Sequence, residues 1–439
     1  MDAHLLPGQD RGIEEHRRLW GDPLQDVAGR AHQPAEILAA VAASGLRSRD
    51  GVGALTASRW SLLGGPESSA TRYLVATAVD AEPASARERA IAWRNPFGVI
   101  SGLVLASTAL EITDTFVTLP DDEPELYERF TDSLAEAELA GWLDKVSVKT
   151  VRVAPQHLGV DPRAMVELIE GRPGIPRRLA TEVSGLFSGV HAGSSDVAPP
   201  MDAANPTLVD SAETFACLGP IVGRGPEWFR MSGTAVSPGH TVITVTGDVQ
   251  RPAVAEIELG APLRETLERV GEGFTGNLST VLPGVSSTVL TRSRLAAPLS
   301  GEGLAAVGAN VGHGAFIVCC DASATVSLTS EAARFLADAA CDQCPACTFG
   351  TAEIVAYLDR LDTGSGDAAD MNAIMARLGT IDDRRRCDLP VRFRDVVGSL
   401  LRADPSLGAR VTATTSDAQG APTTRRVRRL SLGEVLPVG

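Results

Sequence analysis

Residues 341–347 read Cys341-Asp342-Gln343-Cys344-Pro345-Ala346-Cys347, and this stretch decides how the rest of the chain is interpreted. It places three cysteines at two-residue gaps, a spacing typical of a loop wrapped around one side of a cuboidal iron-sulfur cluster. A fourth thiolate completes a four-thiolate [4Fe-4S] site, and Cys387 is the candidate because a helical hairpin would return the chain to the loop there. The spacing therefore predicts Cys341, Cys344, Cys347 and Cys387 as ligands of one metal cluster.

Two other uses of these thiols remain open at this point. Zinc is also held tetrahedrally by thiolates, but structural zinc sites usually combine two separated Cys-x2–4-Cys knuckles, and the second knuckle is missing. Cysteines can also serve as small buried hydrophobic residues, which would leave the regular spacing unexplained. Seven cysteines, three of them clustered, fit metal binding in a reducing compartment better than a disulfide framework.

The composition excludes some classes of function. The 439 residues carry 40 Lys+Arg against 55 Asp+Glu, a net charge of −15, so we expect no nucleic-acid partner. No apolar run reaches the 18 or so residues that cross a bilayer, so we expect no direct membrane insertion. The start lacks the basic and apolar regions of a signal peptide, which predicts a cytoplasmic protein.

The first half of the chain alternates strand and helix patterns, which is the signature of an α/β fold with a parallel sheet. We predict buried or alternating strands at 73–79, 116–118 and 146–153, with helices between them. Further on, strands at 242–245 and 255–259 precede a helix at 262–270, which predicts a small β-grasp module.

The last part of the chain reads as helical from Ser330 to about Leu401, with helix caps predicted at Ser330 and Asp370, and it contains the clustered cysteines. The predicted domains are an N-terminal arm (1–35), an α/β domain (36–225), a β-grasp domain (226–325), a helical cluster-binding domain (326–403) and a polar tail (404–439). We interpret the basic run of the tail, Arg425, Arg426, Arg428 and Arg429, as solvated.

With these pieces in order, the chain resembles the NADH-binding flavoprotein subunit of respiratory complex I, the NuoF family. The cysteine stretch and Gly350 match the family's S-C-G-x-C-x-P-C-R-x-G motif, and Cys387 stands where its fourth cysteine stands. Residues 206–214 look like the family's P-T-x-V-N-N-V-E-T, and residues 232–270 look like its soluble-ligand-binding β-grasp (SLBB) domain. The resemblance covers roughly residues 34–401.

The resemblance implies a Rossmann-like FMN/NADH-type domain, a β-grasp module and a helical [4Fe-4S] domain. It implies an oxidoreductase in which electrons pass from NADH to FMN, then to the cluster and on to a ferredoxin-like or [2Fe-2S] protein partner. The residues that match the family's cofactor contacts are Arg49, Gly51, Gly53, Thr56, Glu82, Asp161, Asp210 and Ser211, and no side chain is assigned a catalytic role.

The same resemblance identifies where this chain departs from the family. Residues 46–60 align with L-R-G-R-G-G-A-G-F-P-T-G-x-K-W, but glycines become Ser48 and Asp50, Phe-Pro becomes Ala54-Leu55, and Lys becomes Arg59. A carboxylate at 50 would repel a phosphate by an energy on the order of a few kcal/mol. Loss of the aromatic ring removes a stacking contact with nicotinamide worth roughly 0.5–1.5 kcal/mol.

Other nucleotide motifs are altered as well. The family's N-A-D-E-S-E-P is here 77–83, which keeps only the carboxylates at 80 and 82, and its G-E-E-T is here 160–163, which keeps Asp161. Asp210 and Ser211 replace two asparagines. We therefore expect a degraded nucleotide site in which FMN binds weakly and NADH is a poor substrate. The alternative is an electron-transfer or structural subunit that works without NADH and keeps only the cluster.

Overall fold

The computed structural model describes residues 4–64, 70–80, 82–194, 197–285, 287–321, 325–382, 386–403 and 426–436. In these ranges no helix combines the length and the apolar character needed to span a bilayer. Most of the predicted tail, including Arg425, lies outside the described residues.

A four-stranded parallel sheet organises the first half of the chain; the sequence predicts the parallel sheet and three of its strands, but not the fourth, which lies at 207–211. Its strand order is β3-β2-β1-β4, and every neighbouring pair is parallel. The strands β1 and β4 are short and buried because helices cover both faces of the sheet. The elements of this part are α1 (Ile13–Trp20), α2 (Pro34–Ser44), α3 (Thr56–Ser61), β1 (Tyr73–Thr77), α4 (Arg87–Arg94), α5 (Pro96–Leu110), β2 (Asp114–Pro120), α6 (Pro124–Leu139), β3 (Ser147–Val153), a 3-10 turn (His157–Val160), α7 (Pro162–Ile169), a second 3-10 turn (Met201–Ala203), β4 (Thr207–Ser211), α8 (Ala212–Ala216), α9 (Leu218–Arg224) and α10 (Pro226–Phe229).

Helix α5 is the central helix of this part, and it is buried on nearly all sides. It packs against α8, the short helix that follows β4 and whose first turn lies at the edge of the candidate cofactor site. Gly102 makes this approach possible, because a Cβ atom there would lie 1.9 Å from the carbonyl oxygen of Phe215.

We expect Gly102→Ala to destabilise the protein by about 2–3 kcal/mol, since backbone rather than a flexible side chain must move to admit the methyl group. Denaturant unfolding monitored by circular dichroism measures this loss. Gly433→Ala is the matched control, because a Cβ atom at Gly433 meets nothing within 4 Å. Equal stability of the two variants would contradict the packing argument.

The second sheet has five strands in the order β6-β5-β9-β7-β8. The hairpin β5–β6 is antiparallel, and the last strand, β9, lies parallel to β5 in the middle of the sheet. This is the arrangement of a β-grasp fold, so the predicted module is present. Its elements are β5 (His240–Gly247), β6 (Ala253–Glu258), α11 (Leu263–Val270), β7 (Thr280–Leu282), β8 (Leu290–Thr291), a 3-10 turn (Arg292–Arg294), α12 (Gly301–Ala305) and β9 (Ala315–Cys319).

The cysteine-bearing part is helical, and the bounds of its helices correct two predicted caps. Its helices are α13 (Thr325–Asp338), α14 (Pro345–Asp362), α15 (Ala368–Leu378) and α16 (Leu389–Ala403). Ser330 lies inside α13 and donates to Asp359 instead of capping a helix. Asp367 caps α15, and Asp370, at the third helical position, completes the same capping box. The domain boundaries given above stay predictions.

The interpretation of the tail's basic run as solvated is wrong for Arg426 and Arg429, whereas the Arg428 side chain is 40% exposed. Arg426 pairs with Asp248 of the β-grasp part at 3.1 Å, and its backbone N–H donates to Glu331 of α13. Arg429 pairs with Asp122 and Glu123, and Arg428 pairs with Glu434 in the last helix, α17 (Leu432–Val435). Residues 426–436 therefore bind across all three parts of the fold, a long-range pairing with no local sequence signal.

Candidate functional site

The four predicted cysteines converge at one place. Cys341, Cys344, Cys347 and Cys387 all line a single small cavity between the start of α14 and the start of α16. Cys344 and Cys347 are buried, the other two are half-buried, and all four are free thiols. Four thiols around one cavity are the donor set that a [4Fe-4S] cluster requires.

Local sequence explains how the cysteine loop is held. Cys344 is the N-cap of α14, and Pro345 occupies the first helical position, where a missing N–H costs nothing. Gly350 lets α14 approach the segment that leads back to Cys387, because a Cβ atom there would lie 2.5 Å from the Ile381 side chain. Residues in the first turns of α14 and of α16 line the cavity, so the dipoles of both helices favour negative charge there.

The surroundings of the thiols are apolar on one side and basic on the other. Leu158, Ala164 and Leu389 pack directly against the cysteines. Burial raises the pKa of the Cys387 thiol to about 11, and the neighbouring Cys341 adds to this shift. A second cavity of about 440 Å³ opens next to Cys387, and its lining includes four arginines and two aspartates: Arg163, Arg178, Arg386, Arg394, Asp382 and Asp388.

The glycine-bearing loop forms a second candidate site at the end of the parallel sheet. The loop folds back on itself, with the Ser48 N–H donating to the carbonyl of Ala54 at 2.8 Å. Gly51 and Gly53 have φ angles of 90° and 72°, which disfavour any residue with a side chain. With Arg47 they line a cavity of about 410 Å³ that the loop shares with the β-grasp part.

Arg59 is surrounded by acceptors of the chain itself. Its Nη1 donates to Ser48 Oγ at 2.9 Å, Asp50 Oδ2 at 2.9 Å and Asp210 Oδ2 at 2.8 Å. Its Nη2 donates to the Val209 carbonyl at 2.8 Å. The pKa of Asp210 is raised, first by burial and also by the nearby Asp50 carboxylate, although Arg59 opposes the shift. We call Ser48, Asp50, Arg59 and Asp210 the Arg59 network.

Most of the predicted cofactor residues lie around this network. The Arg49 N–H donates to Thr214 Oγ1 at 2.8 Å, and the Arg49 guanidinium donates to the His240 carbonyl at 3.0 Å. Ser211 caps α8, so its hydroxyl is bound to the Thr214 N–H. Thr56 is fully buried at the start of α3.

The two predicted carboxylates, Glu82 and Asp161, lie outside the Arg59 network. Glu82 is buried, accepts a hydrogen bond from the Val285 N–H and lies 3.8 Å from His313 Nε2. Asp161 is the N-cap of α7 and pairs with Arg163 at 2.7 Å. It is close enough to Cys387 to help raise the pKa of that thiol. Asp161 therefore belongs to the surroundings of the cysteine centre, and no described contact joins it to the glycine loop.

Two residues of the glycine-loop site were not found from the sequence. His313 faces the loop, since a Cβ atom on Gly51 would lie 3.1 Å from its Nε2. Burial, followed by the charge of Arg87, holds the pKa of His313 well below its usual value, so its ring is neutral. Arg87 is fully buried, pairs with Glu213 at 3.1 Å and donates to the Arg49 carbonyl. The contact of His313 with the glycine loop and the contact of Arg87 with Arg49 join distant parts of the chain, so residue spacing in the sequence does not indicate them.

Two family models match the chain. The Nuo51 FMN-binding domain matches residues 41–216, and the NADH-ubiquinone oxidoreductase-F iron-sulfur binding region matches residues 327–405, which contain all four cysteines. The chain belongs to the NuoF family. The family-level prediction is confirmed, with FMN and a [4Fe-4S] cluster as the cofactors and electron transfer as the function of the oxidoreductase.

Relatives match over most of their length. The second F-type subunit of the NADH-quinone oxidoreductase of Rhizobium meliloti (strain 1021) is 29% identical over 389 residues, which cover 85% of this chain and 86% of that protein. The F-type subunit of the NADH-quinone oxidoreductase of Streptomyces coelicolor is 28% identical, and the match covers 82% of this chain and 79% of that protein.

A solved structure has the same fold. The NAD+-reducing [NiFe]-hydrogenase in its H2-reduced state superposes with a TM-score of 0.77 at 25% identity. The superposition covers 87% of this chain but only 63% of the hydrogenase chain.

The residues present fit the two cofactors unequally. Four thiols around one cavity fit the [4Fe-4S] cluster. At the glycine loop, Arg59 already donates to two carboxylates, which together carry more charge than it neutralises. The cavity at the loop is lined by Arg47, Arg49 and Arg87, whereas Asp50 and Asp210 bind Arg59 beside it, so a phosphate placed next to Arg59 would meet two carboxylates.

Proposed function

We propose that this chain transfers electrons through a [4Fe-4S] cluster held by Cys341, Cys344, Cys347 and Cys387 to an iron-sulfur protein partner. The single observation that supports this most is the convergence of the four thiols on one cavity. When bound, the cluster supplies one-electron transfer. Leu158, Ala164 and Leu389 limit the access of water to the thiols, and the N-termini of α14 and α16 stabilise the negative charge of the thiolates.

We further propose that the nucleotide site is degraded, so that FMN is held loosely and NADH is oxidised slowly. The Arg59 network supports this, because a phosphate must displace carboxylates that already satisfy the arginine. Ala54 and Leu55 stand where the family stacks nicotinamide on a phenylalanine, so the stacking contact is lost as well. The same observations favour the second candidate function, electron transfer that does not use NADH at all.

The partner is an acidic ferredoxin-like or [2Fe-2S] protein in this proposal. Four arginines line the cavity beside Cys387, Arg163, Arg178, Arg386 and Arg394, and they offer guanidinium groups to an acidic partner, although Asp161, Asp382, Asp388 and Asp395 neutralise part of their charge. Charge complementarity of this kind accelerates association and weakens as salt increases. Capture of a small acidic [2Fe-2S] protein at low but not at high ionic strength tests this partner, and no capture at either would contradict it.

The cytoplasmic location stays a prediction.

Anaerobic titration tests the nucleotide part of the proposal. We expect dithionite to bleach the visible absorption of the purified protein completely, and NADH to bleach it slowly even when FMN is added in excess. We also expect dialysis to remove most of the FMN. Tight stoichiometric flavin together with rapid bleaching by NADH would show that the Arg59 network does not hinder the cofactor.

A further inference from the structure

The N-terminal arm is attached to the second sheet through one carboxylate. Glu256 of β6 accepts hydrogen bonds from the backbone N–H groups of His4, Leu5 and Leu6 at 3.3, 2.9 and 2.9 Å. The Asn95 amide donates to the His4 carbonyl at 2.8 Å. These backbone contacts fix the position of His4 without any contribution from its imidazole ring.

The side chains of His4, His240 and Glu256 meet on one face of the β5–β6 hairpin. His240 pairs with Glu258 across the hairpin, so Glu256, two residues away on the same strand, points to the same face. One ligand atom from each of His4, His240 and Glu256 lies within 4.8 Å of the others. His4 is 2% exposed, and the Glu256 side chain is 7% exposed.

The surroundings of this cluster are aromatic. The rings of Trp20, Trp228 and Phe229 lie edge-on to the His4 ring, with centroids 5.8 to 6.4 Å away. His4 Nδ1 lies 3.0 Å from Glu256 Oε1, but His4 Nε2 is buried and has no hydrogen-bond partner among the described residues. A simple ion pair with Glu256 therefore leaves one polar atom of the ring buried and without a hydrogen bond, which is unfavourable.

We propose that His4, His240 and Glu256 form a binding site for a divalent transition-metal ion of the zinc type, separate from the cysteine centre. Two imidazoles and one carboxylate are a ligand set used by three-residue zinc sites, in which water takes the fourth position. Ligand atoms around tetrahedral zinc lie about 3.4 Å apart, so small side-chain rotations close the observed spacing. A bound ion fastens the N-terminal arm to β5 and β6, next to the Arg49 contact with the His240 carbonyl.

X-ray absorption spectroscopy at the zinc edge, on the full-length and cluster-loaded protein, tests the site. After addition of one equivalent of Zn²⁺ under anaerobic conditions, we expect a first shell of nitrogen and oxygen only, at about 2.0–2.1 Å. We expect His4→Gln and His240→Gln each to weaken zinc binding by at least about tenfold. His191→Gln is the matched control, because His191 is exposed, and we expect it to bind zinc as the unaltered chain does.

Sulfur in the first shell, at about 2.3 Å, would mean that zinc occupies cysteines and would overturn the site. Zinc affinity that is the same in His240→Gln and in the unaltered chain would also overturn it. The spectrum of the unaltered protein keeps the test decisive if a variant fails to fold. The proposal is independent of the proposed function. Loss of the cluster would remove the visible absorption but would leave the nitrogen and oxygen shell of the bound zinc unchanged.

Discussion

Cys344→Ser is expected to give protein that lacks the cluster, with the broad visible absorption lost and the iron content reduced from about four atoms per chain to near zero. Cys344 is buried at the N-cap of α14, where its thiol lines the same cavity as the other three. A serine hydroxyl is a poor ligand for iron, and three remaining thiolates leave one iron without its protein ligand. Iron and sulfide analysis, together with visible spectroscopy of anaerobically purified protein, measures the effect.

Cys320→Ser is the matched control for this variant. Cys320 is a half-buried thiol directly after β9 and does not line the cysteine cavity. We expect it to retain full iron content and colour. A Cys344→Ser protein with unchanged iron and absorption would contradict the assignment of this cysteine.

The double variant Asp50→Gly/Asp210→Asn is expected to bind FMN at least about tenfold more tightly than the unaltered chain. Both carboxylates bind Arg59, and each would repel a phosphate at 4–6 Å by an energy on the order of a few kcal/mol. Asparagine at 210 keeps an acceptor for Ser48 and Thr214 but no longer neutralises Arg59. Quenching of FMN fluorescence measures the affinity, since about 1.4 kcal/mol corresponds to a factor of ten.

Stability measurements sharpen this prediction. Removal of both carboxylates leaves Arg59 half-buried and unpaired, so we expect the free variant to be less stable than the unaltered chain and to recover stability when FMN binds. Asp132→Asn is the control for loss of a negative charge, because Asp132 is exposed on α6. An affinity for FMN that does not change in the double variant would show that the Arg59 network is not what weakens binding.

The sequence predicts the parts of this protein that have local patterns. The two-residue gaps of the cysteine stretch predict its ligands, and the strand patterns at 73–79, 116–118 and 146–153 predict a parallel sheet. The β5–β6 hairpin and the helix after it likewise predict the β-grasp part. In each case a short window contains the periodicity or spacing that the structure requires.

The features missed by sequence reasoning depend on contacts between distant residues. Asp50 reads as a simple repulsive charge, because nothing in its neighbourhood indicates that Arg59 also binds Asp210 from β4. His313 reaches the glycine loop from the β-grasp part, and Arg429 reaches Asp122 from the tail. The resemblance assigns Asp161 to the nucleotide, whereas its side chain caps α7 beside Cys387.

The central claim is that the four converging thiols hold a redox-active [4Fe-4S] cluster, and metal analysis with electron paramagnetic resonance on the anaerobically purified chain tests it most directly. We predict about four irons and four sulfides per chain, and a signal from a reduced [4Fe-4S] cluster after addition of dithionite. Colourless protein with zinc bound to the cysteines and no signal after reduction would contradict the account.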